Sequence, residues 1–361
     1  MWARESIQQW REQFMKTKFW NRVVILAGML GMTAISATTI EYHLTNTYKF
    51  AAASGGREYF DYISFDPESR RLYLSHGSEV VVVNADSGKE EGKITGLKQS
   101  HGVAVVAEVG RGFISDGAQG KAIIFDLKTL KVVGEANAAP DADCIIYDPG
   151  SKRVFTFNGD SRNATAIDPA TGKDVGTIDL GGGPEFAVAD GKGMIYNNLE
   201  DKNEVLAIDS RDLKVKSRWP IAPAGAPTAI AMDRDHRRLF IASREPAMMV
   251  VINADDGKLI QSFTISGGAD ADLYDPKTGL IFVSTREGWV HIFHEDSPDH
   301  YSEAGKVKTE FGAKTMAYDP KTDRIFVDTA EFGKAPAPSK DQPHPRPPAL
   351  PGTFHLLVYS R

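Results

Sequence analysis

A single cysteine, Cys144, stands in 361 residues, so the chain forms no internal disulfide, no cysteine-rich zinc site and no Cys-x-x-Cys-His haem attachment. Its stability must come from packing, and an oxidising compartment stays open to it because a large core needs no covalent staples. Positive charge is also scarce. The net charge is −6, and because Arg4, Arg11, Lys16, Lys18 and Arg22 face only Glu5 and Glu12 in the first 22 residues, the remainder stands near −9. An acidic body has no electrostatic reason to seek phosphate backbones, so no nucleic-acid binding is expected. Charge of either sign is missing from Val23 to Ile40 (VVILAGMLGMTAISATTI). A basic stretch leading into such a run reads as an export signal or an N-terminal membrane anchor over residues 1–40. Ala34-Ile35-Ser36 has the small-x-small pattern of a signal-peptide cleavage site, whereas the long basic region and 18 uncharged residues suit an uncleaved anchor helix. In both cases the basic residues stay inside and the body is delivered to the periplasm or the exterior.

What the sequence does have is turns and short strands. Hydrophobic content of 42% with 33 glycines describes a packed globular protein with many turns. A turn beginning at Asp168 (DPATGK) returns at Asn84 (NADSGK), Asp126 (DLKTLK), Asp209 (DSRDLK) and Asn253 (NADDGK), and in degenerate form at Glu295 (EDSPDH), in steps of 42, 42, 41, 44 and 42 residues. Asn or Asp opens each turn by bonding its own backbone, and Gly takes the positive-φ position. A second marker alternates with the first: Phe65-Asp66-Pro67, Tyr147-Asp148-Pro149, Met232-Asp233, Tyr274-Asp275-Pro276 and Tyr318-Asp319-Pro320, with degraded copies around Glu108 and Asp190. Each unit holds four short strands in about 42 residues, the period of a propeller blade. Such a unit cannot bury both faces alone, so seven of them must stack radially. The fold class is therefore all-β, a seven-bladed β-propeller over residues 45–361. The last unit lacks an outer strand, which Thr45–Ala51 supplies, so residues near 45–52 are expected to pair with the C-terminal strand and close the ring.

The second strand of each unit runs aromatic or aliphatic, then mixed, then polar: Tyr73-Leu74-Ser75-His76, Phe113-Ile114-Ser115-Asp116, Phe155-Thr156-Phe157-Asn158, Ile195-Tyr196-Asn197-Asn198, Phe240-Ile241-Ala242-Ser243, Phe282-Val283-Ser284-Thr285 and Phe326-Val327-Asp328-Thr329. With the Asp-x-x-Thr-Gly-Lys turns, this resembles the YVTN β-propeller repeat family. The resemblance implies an exported propeller and leaves function open between scaffold, surface protein and enzyme.

Loops entering the inner strands and leaving the second strands gather at one mouth of a propeller channel. The entering residues are Asp61, His101 (or, by one alignment gap, Gly102), Asp143, Glu185, Thr228, Asp270 and Lys314. The leaving residues are His76, Asp116, Asn158, Asn198, Ser243, Thr285 and Thr329. If both rings converge, they offer carboxylate and amide oxygens suited to a hard divalent cation, and His76 and His101 on adjacent blades suit a transition metal. The bland alternative is that such residues cap loops. The leading expectation is a binding scaffold whose mouth recognises a protein, an envelope component or a small polar ligand without turnover. Its rival is a metal-dependent hydrolase or lyase, resembling in kind the propeller lactonases, with Asp143, Glu185, Asn158 and Asn198 around a divalent cation.

Remaining signals are weaker. Asp141-Ala142-Asp143 and Asp270-Ala271-Asp272 repeat three units apart. His291 and His294 lie in a strand where i and i+3 face opposite ways and make no metal motif. Gly181-Gly182-Gly183 is an inter-blade loop, and Asn163-Ala164-Thr165 matches a glycosylation sequon. A proline-rich insertion at 334–351 interrupts the last unit and is either a solvated loop or a flap at the mouth.

Overall fold

The computed structural model describes residues 39–54, 58–340 and 345–361; the expected signal or anchor segment, 1–40, lies outside them but for its last two residues. Seven four-stranded antiparallel sheets follow one another in chain order, and their innermost strands contact each other in a closed circle. Blades 1 to 6 span 60–95, 100–137, 142–179, 184–220, 227–264 and 269–308. Blade 7 combines Met316–Asp319, Arg324–Thr329 and His355–Ser360 with the N-terminal strand His43–Lys49. The ring therefore closes as the sequence implies, Leu44 opposite Tyr359 and Tyr48 opposite Leu356. Upstream, Ile40 donates its amide to Ala304 O at 2.8 Å, fastening the entering chain to the rim of blade 6.

Period-two alternation explains why the blades stack. In the second strand of blade 1, Leu72 and Leu74 pack toward blade 7 while Tyr73 packs toward blade 2. Each hydrophobic cluster spans two adjacent blades, one cluster per junction, so no blade owns a core. Burial of this kind contributes about 25 cal/mol per Å² of apolar surface and exists only while the neighbour is present.

Two features position the channel. Six of the seven inner strands open with a register shift, between Phe60 and Ile63, Ser100 and Val103, Ala142 and Ile145, Pro184 and Ala187, Pro227 and Ala229, and Ala269 and Ala271. Such bulges bend a strand end and re-aim its side chains. Below that level Tyr62 of blade 1 and Phe186 of blade 4 stack with ring centroids 4.4 Å apart. These blades are not neighbours, so the contact crosses the channel. The propeller is plugged by aromatic rings under an open mouth.

The proline-rich insertion joins the second and third strands of blade 7. Its base is paired, Gly333 N to Pro348 O at 2.9 Å and Leu350 N to Glu331 O at 2.8 Å, and Phe332 packs against the core between blades 7 and 1.

Candidate functional site at the channel mouth

The bulges hold the entering residues. Asp61, His101, Asp143, Glu185, Thr228 and Asp270 all sit within them, and Lys314 occupies the equivalent place in blade 7. His101 rather than Gly102 is the ring residue; the Gly102 amide bonds Ser115 Oγ at 2.9 Å.

These residues form a chain of alternating charge. Lys314 Nζ bridges Asp61 Oδ1 at 2.7 Å and Asp270 Oδ2 at 3.2 Å. Arg244 continues from Asp270 to Glu200, 2.9 Å away. In the other direction His101 Nδ1 donates to Asp61 Oδ2 at 2.8 Å, and Asp143 Oδ1 lies 3.0 Å from the same nitrogen. The Tyr59 hydroxyl steadies the junction by donating to Asp61 Oδ2 at 2.8 Å. Burial would push the His101 imidazole down, but Asp143 and Asp61 outweigh it and push it up to about 10, so the ring is an imidazolium at neutral pH. Burial likewise opposes ionisation of Asp61 and Asp270, yet Lys314 beside both holds them below the usual carboxylate range, helped by His101 for Asp61 and Arg244 for Asp270.

Alternation fails at one place. Between blades 3 and 4, Asp143 and Glu185 follow each other with no cation between them. Asp143 Oδ1 is buried and, beyond its ion pair with His101, has no hydrogen bond among the described residues. Burial, then Asp143, then Glu200 push the Glu185 carboxyl well above its ordinary value, and Arg244 compensates only in part. A cavity of about 310 Å³ opens at this junction, lined by Asp141, Asp143, Asp160, Glu185, Glu200 and Asp201 together with Arg162 and three small residues. Arg162 is drawn to Asp201, 3.4 Å away.

The second-strand residues do not join this ring, which corrects the expected convergence. His76, Asp116, Asn158, Asn198, Ser243, Thr285 and Thr329 are all 0% exposed, and among the described residues none makes a side-chain ion pair or hydrogen bond to the ring residues. Asp116 caps a loop, accepting from the amides of Lys98 at 2.7 Å and Gln99 at 3.1 Å. Asn158 donates to Asn163 and Thr165, and Asn198 to Ala229 O at 3.0 Å. Both NH2 groups are thus engaged, while each Oδ1 is buried without a hydrogen-bond partner among the described residues and neither residue lines the cavity described above. His76 is likewise separated from His101: its Nε2 meets Glu58 Oε1 at 2.5 Å and its ring stacks on Phe354. Among the described residues the mouth group able to hold a metal is instead Asp61, His101 and Asp143.

One position further along the second strands carried a signal that the first reading passed over. It is Gly77, Gly117 and Gly159 in blades 1 to 3 but Arg244 and Arg286 in blades 5 and 6. The glycines make room: a Cβ on Gly117 would lie 2.7 Å from His101 Nε2, and one on Gly159 2.3 Å from Asp141 Oδ2. The arginines do the reverse and fill their half with positive charge. Among the described residues the Arg286 guanidinium has no ion-pair partner; burial lowers its pKa, and Arg346 of the insertion lowers it further. The insertion thus brings the charge of Arg346 within electrostatic reach of Arg286.

The two Asp-Ala-Asp pairs part company. Asp141 and Asp143 both line the cavity, whereas Asp272 lies 3% exposed beneath Asp270, and neither carboxylate oxygen has a hydrogen-bond partner among the described residues. Burial holds its pKa well above the usual range. A raised carboxyl weakens the fold progressively as pH climbs above about 4. Asp272→Asn is therefore expected to stabilise the protein at pH 8 by about 1–3 kcal/mol and to flatten that part of the pH profile, which urea denaturation at pH 5 and pH 8 will show.

The fold is a common one. Of the solved structures, 1756 chains match it, among them a chain of the Kuenenia stuttgartiensis hydrazine synthase, which aligns with a TM-score of 0.65 at 14% identity over 74% of this chain and 91% of that one. Likeness at that identity establishes the propeller and carries no chemistry across. No family model matches the chain, and no curated protein sequence does.

Proposed function

We propose that the protein is a binding module whose channel mouth takes up a small ligand carrying a positively charged group, an ammonium or guanidinium, without turning it over. The observation that carries this reading is the interruption of the alternating ring by Asp143 and Glu185 where the cavity opens. Two neighbouring carboxylates with no cation between them form a site that a bound positive charge stabilises. The neighbouring positions already hold their own cations, since His101 and Lys314 answer Asp61, and Arg244 answers Asp270. The hydrolase reading places Asn158 and Asn198 with Asp143 and Glu185 around a divalent cation, and neither asparagine lines the cavity, so it is the less favoured one. The turn repeat supports a diverged relative of the YVTN propellers, and the charge pattern of residues 1–40 supports export with or without a retained anchor.

Calorimetric titration with putrescine and with arginine, against the uncharged analogues butanediol and citrulline, tests the reading. The native protein is expected to bind a cationic probe and to ignore its neutral analogue. Glu185→Gln should weaken binding at least tenfold, roughly the contribution of one charge-assisted contact. Failure of both cationic probes, or equal affinity in Glu185→Gln, would overturn it.

A further inference from the structure

On the face opposite the mouth, the repeat predicts its own exceptions. The Asp closing an inner strand is held by a hydroxyl three residues on: Ser69 to Asp66 at 2.6 Å, Ser151 to Asp148 at 2.8 Å, Thr278 to Asp275 at 2.6 Å and Thr322 to Asp319 at 2.5 Å. Blade 5 places His236 there instead, its Nδ1 2.6 Å from Asp233 Oδ2. The residue opening each outer turn is Asn or Asp in blades 1 to 5, whereas blade 6 has Glu295. These two departures meet: His236 Nδ1 is 3.2 Å from Glu295 Oε1 across the junction of blades 5 and 6.

In two blades an arginine at the end of this turn answers a neighbouring carboxylate. Arg70 of blade 1 reaches back to Asp319 of blade 7 at 2.9 Å, and Arg237 of blade 5 to Asp190 of blade 4 at 3.3 Å, both from the left-handed position that ends the turn. In blade 6 that position is Gly279. The junction therefore buries two carboxylates, Asp233 and Glu295 with side chains 2% and 4% exposed, with no arginine between them. Glu295 Oε1 has no hydrogen-bond partner among the described residues, while the Tyr274 hydroxyl donates to Oε2 at 2.7 Å and fixes the carboxylate with Oε1 turned toward Asp233 and His236.

We infer that Asp233, His236 and Glu295 form a site for a divalent transition metal of the zinc class, which supplies the positive charge that Arg70 and Arg237 supply at their junctions and ties blade 5 to blade 6. One atom from each residue lies within 4.8 Å of the others. Two carboxylate oxygens and one imidazole nitrogen suit such an ion, and a three-ligand set leaves coordination to be completed by solvent. Access is open because His236 is 51% exposed while both acids are covered. Tyr274 supplies the outer hydrogen bond that orients a ligating carboxylate.

The repeat also supplies variants that keep the fold. His236→Ser restores the hydroxyl used in the other blades, and Glu295→Asn restores the usual turn opener. Zn²⁺ alone, titrated calorimetrically into the chelator-treated full chain, is expected to bind with one-to-one stoichiometry at this site and to raise the melting temperature. Either variant should weaken that binding at least tenfold and abolish the thermal shift, while Glu185→Gln at the mouth leaves both unchanged. Absence of Zn²⁺ binding by the native chain, or undiminished binding by His236→Ser, would overturn the assignment without touching the proposal for the mouth.

Discussion

Lys314→Met is expected to destabilise the propeller by about 3–5 kcal/mol, the cost of removing one partner from a buried ion pair. Lys314 is 13% exposed and stands between Asp61 and Asp270, at 11% and 8%. Methionine fills much the same volume, so the loss is electrostatic: two carboxylates from blades 1 and 6 face each other with nothing positive in blade 7 between them. Neutralising them should recover most of the loss. Lys314→Met combined with Asp61→Asn and Asp270→Asn is expected to fall well short of the single variant's effect, since no carboxylate is left unanswered where the lysine stood, while His101 keeps Asp143 and Arg244 keeps Glu200. Urea denaturation of the single and triple variants measures both quantities, and equal destabilisation in the two would show that Lys314 acts through packing alone.

Alkaline pH should unmake the other half of the ring. His101 is raised to about 10 in the folded protein from an unfolded value of 6.5, so its contribution is complete below pH 6.5 and is lost as pH rises through 10. That difference amounts to at most about 5 kcal/mol at 1.36 kcal/mol per unit. His101→Gln is expected to flatten this window while lowering stability at pH 6. Denaturation midpoints between pH 6 and pH 10 check it. A native profile as flat as the variant's would mean that His101 is neutral between its two carboxylates.

The architecture was legible because it rests on periodicities. Turns 41 to 44 residues apart, a strand missing at one terminus and present at the other, and alternation in strands such as Leu72-Tyr73-Leu74 each follow from backbone geometry, and all reappear in the structure. The site was legible in part for the same reason. Counting to the start of each inner strand reached Asp61, His101, Asp143, Glu185, Asp270 and Lys314. Counting to the end of each second strand reached His76, Asp116, Asn158 and Asn198, which are fully buried instead. The difference is the bulge, an extra residue that tilts the inner strand's first side chains toward the axis while the second strand stays regular. No pattern in a single sequence marks where such a bulge falls. Arg244 escaped because its strand runs one residue longer than that of blade 1, Arg238–Arg244 against Arg71–His76. His236 and Glu295 were visible only as breaks in a rule, and a break gains meaning once two of them touch.

The central claim is that Asp143 and Glu185 are the place where the ring lacks a positive charge. Burial, Asp143 and Glu200 hold the Glu185 carboxyl well above its ordinary value, so a cation that favours its ionised form shifts the Glu185 proton toward release. Calorimetry of putrescine binding at pH 6.5, repeated in buffers of different ionisation enthalpy, counts that release. The account predicts a net release of protons on binding by the native protein and none in Glu185→Gln. Binding with no proton release in the native protein, or the same release in the variant, would contradict it.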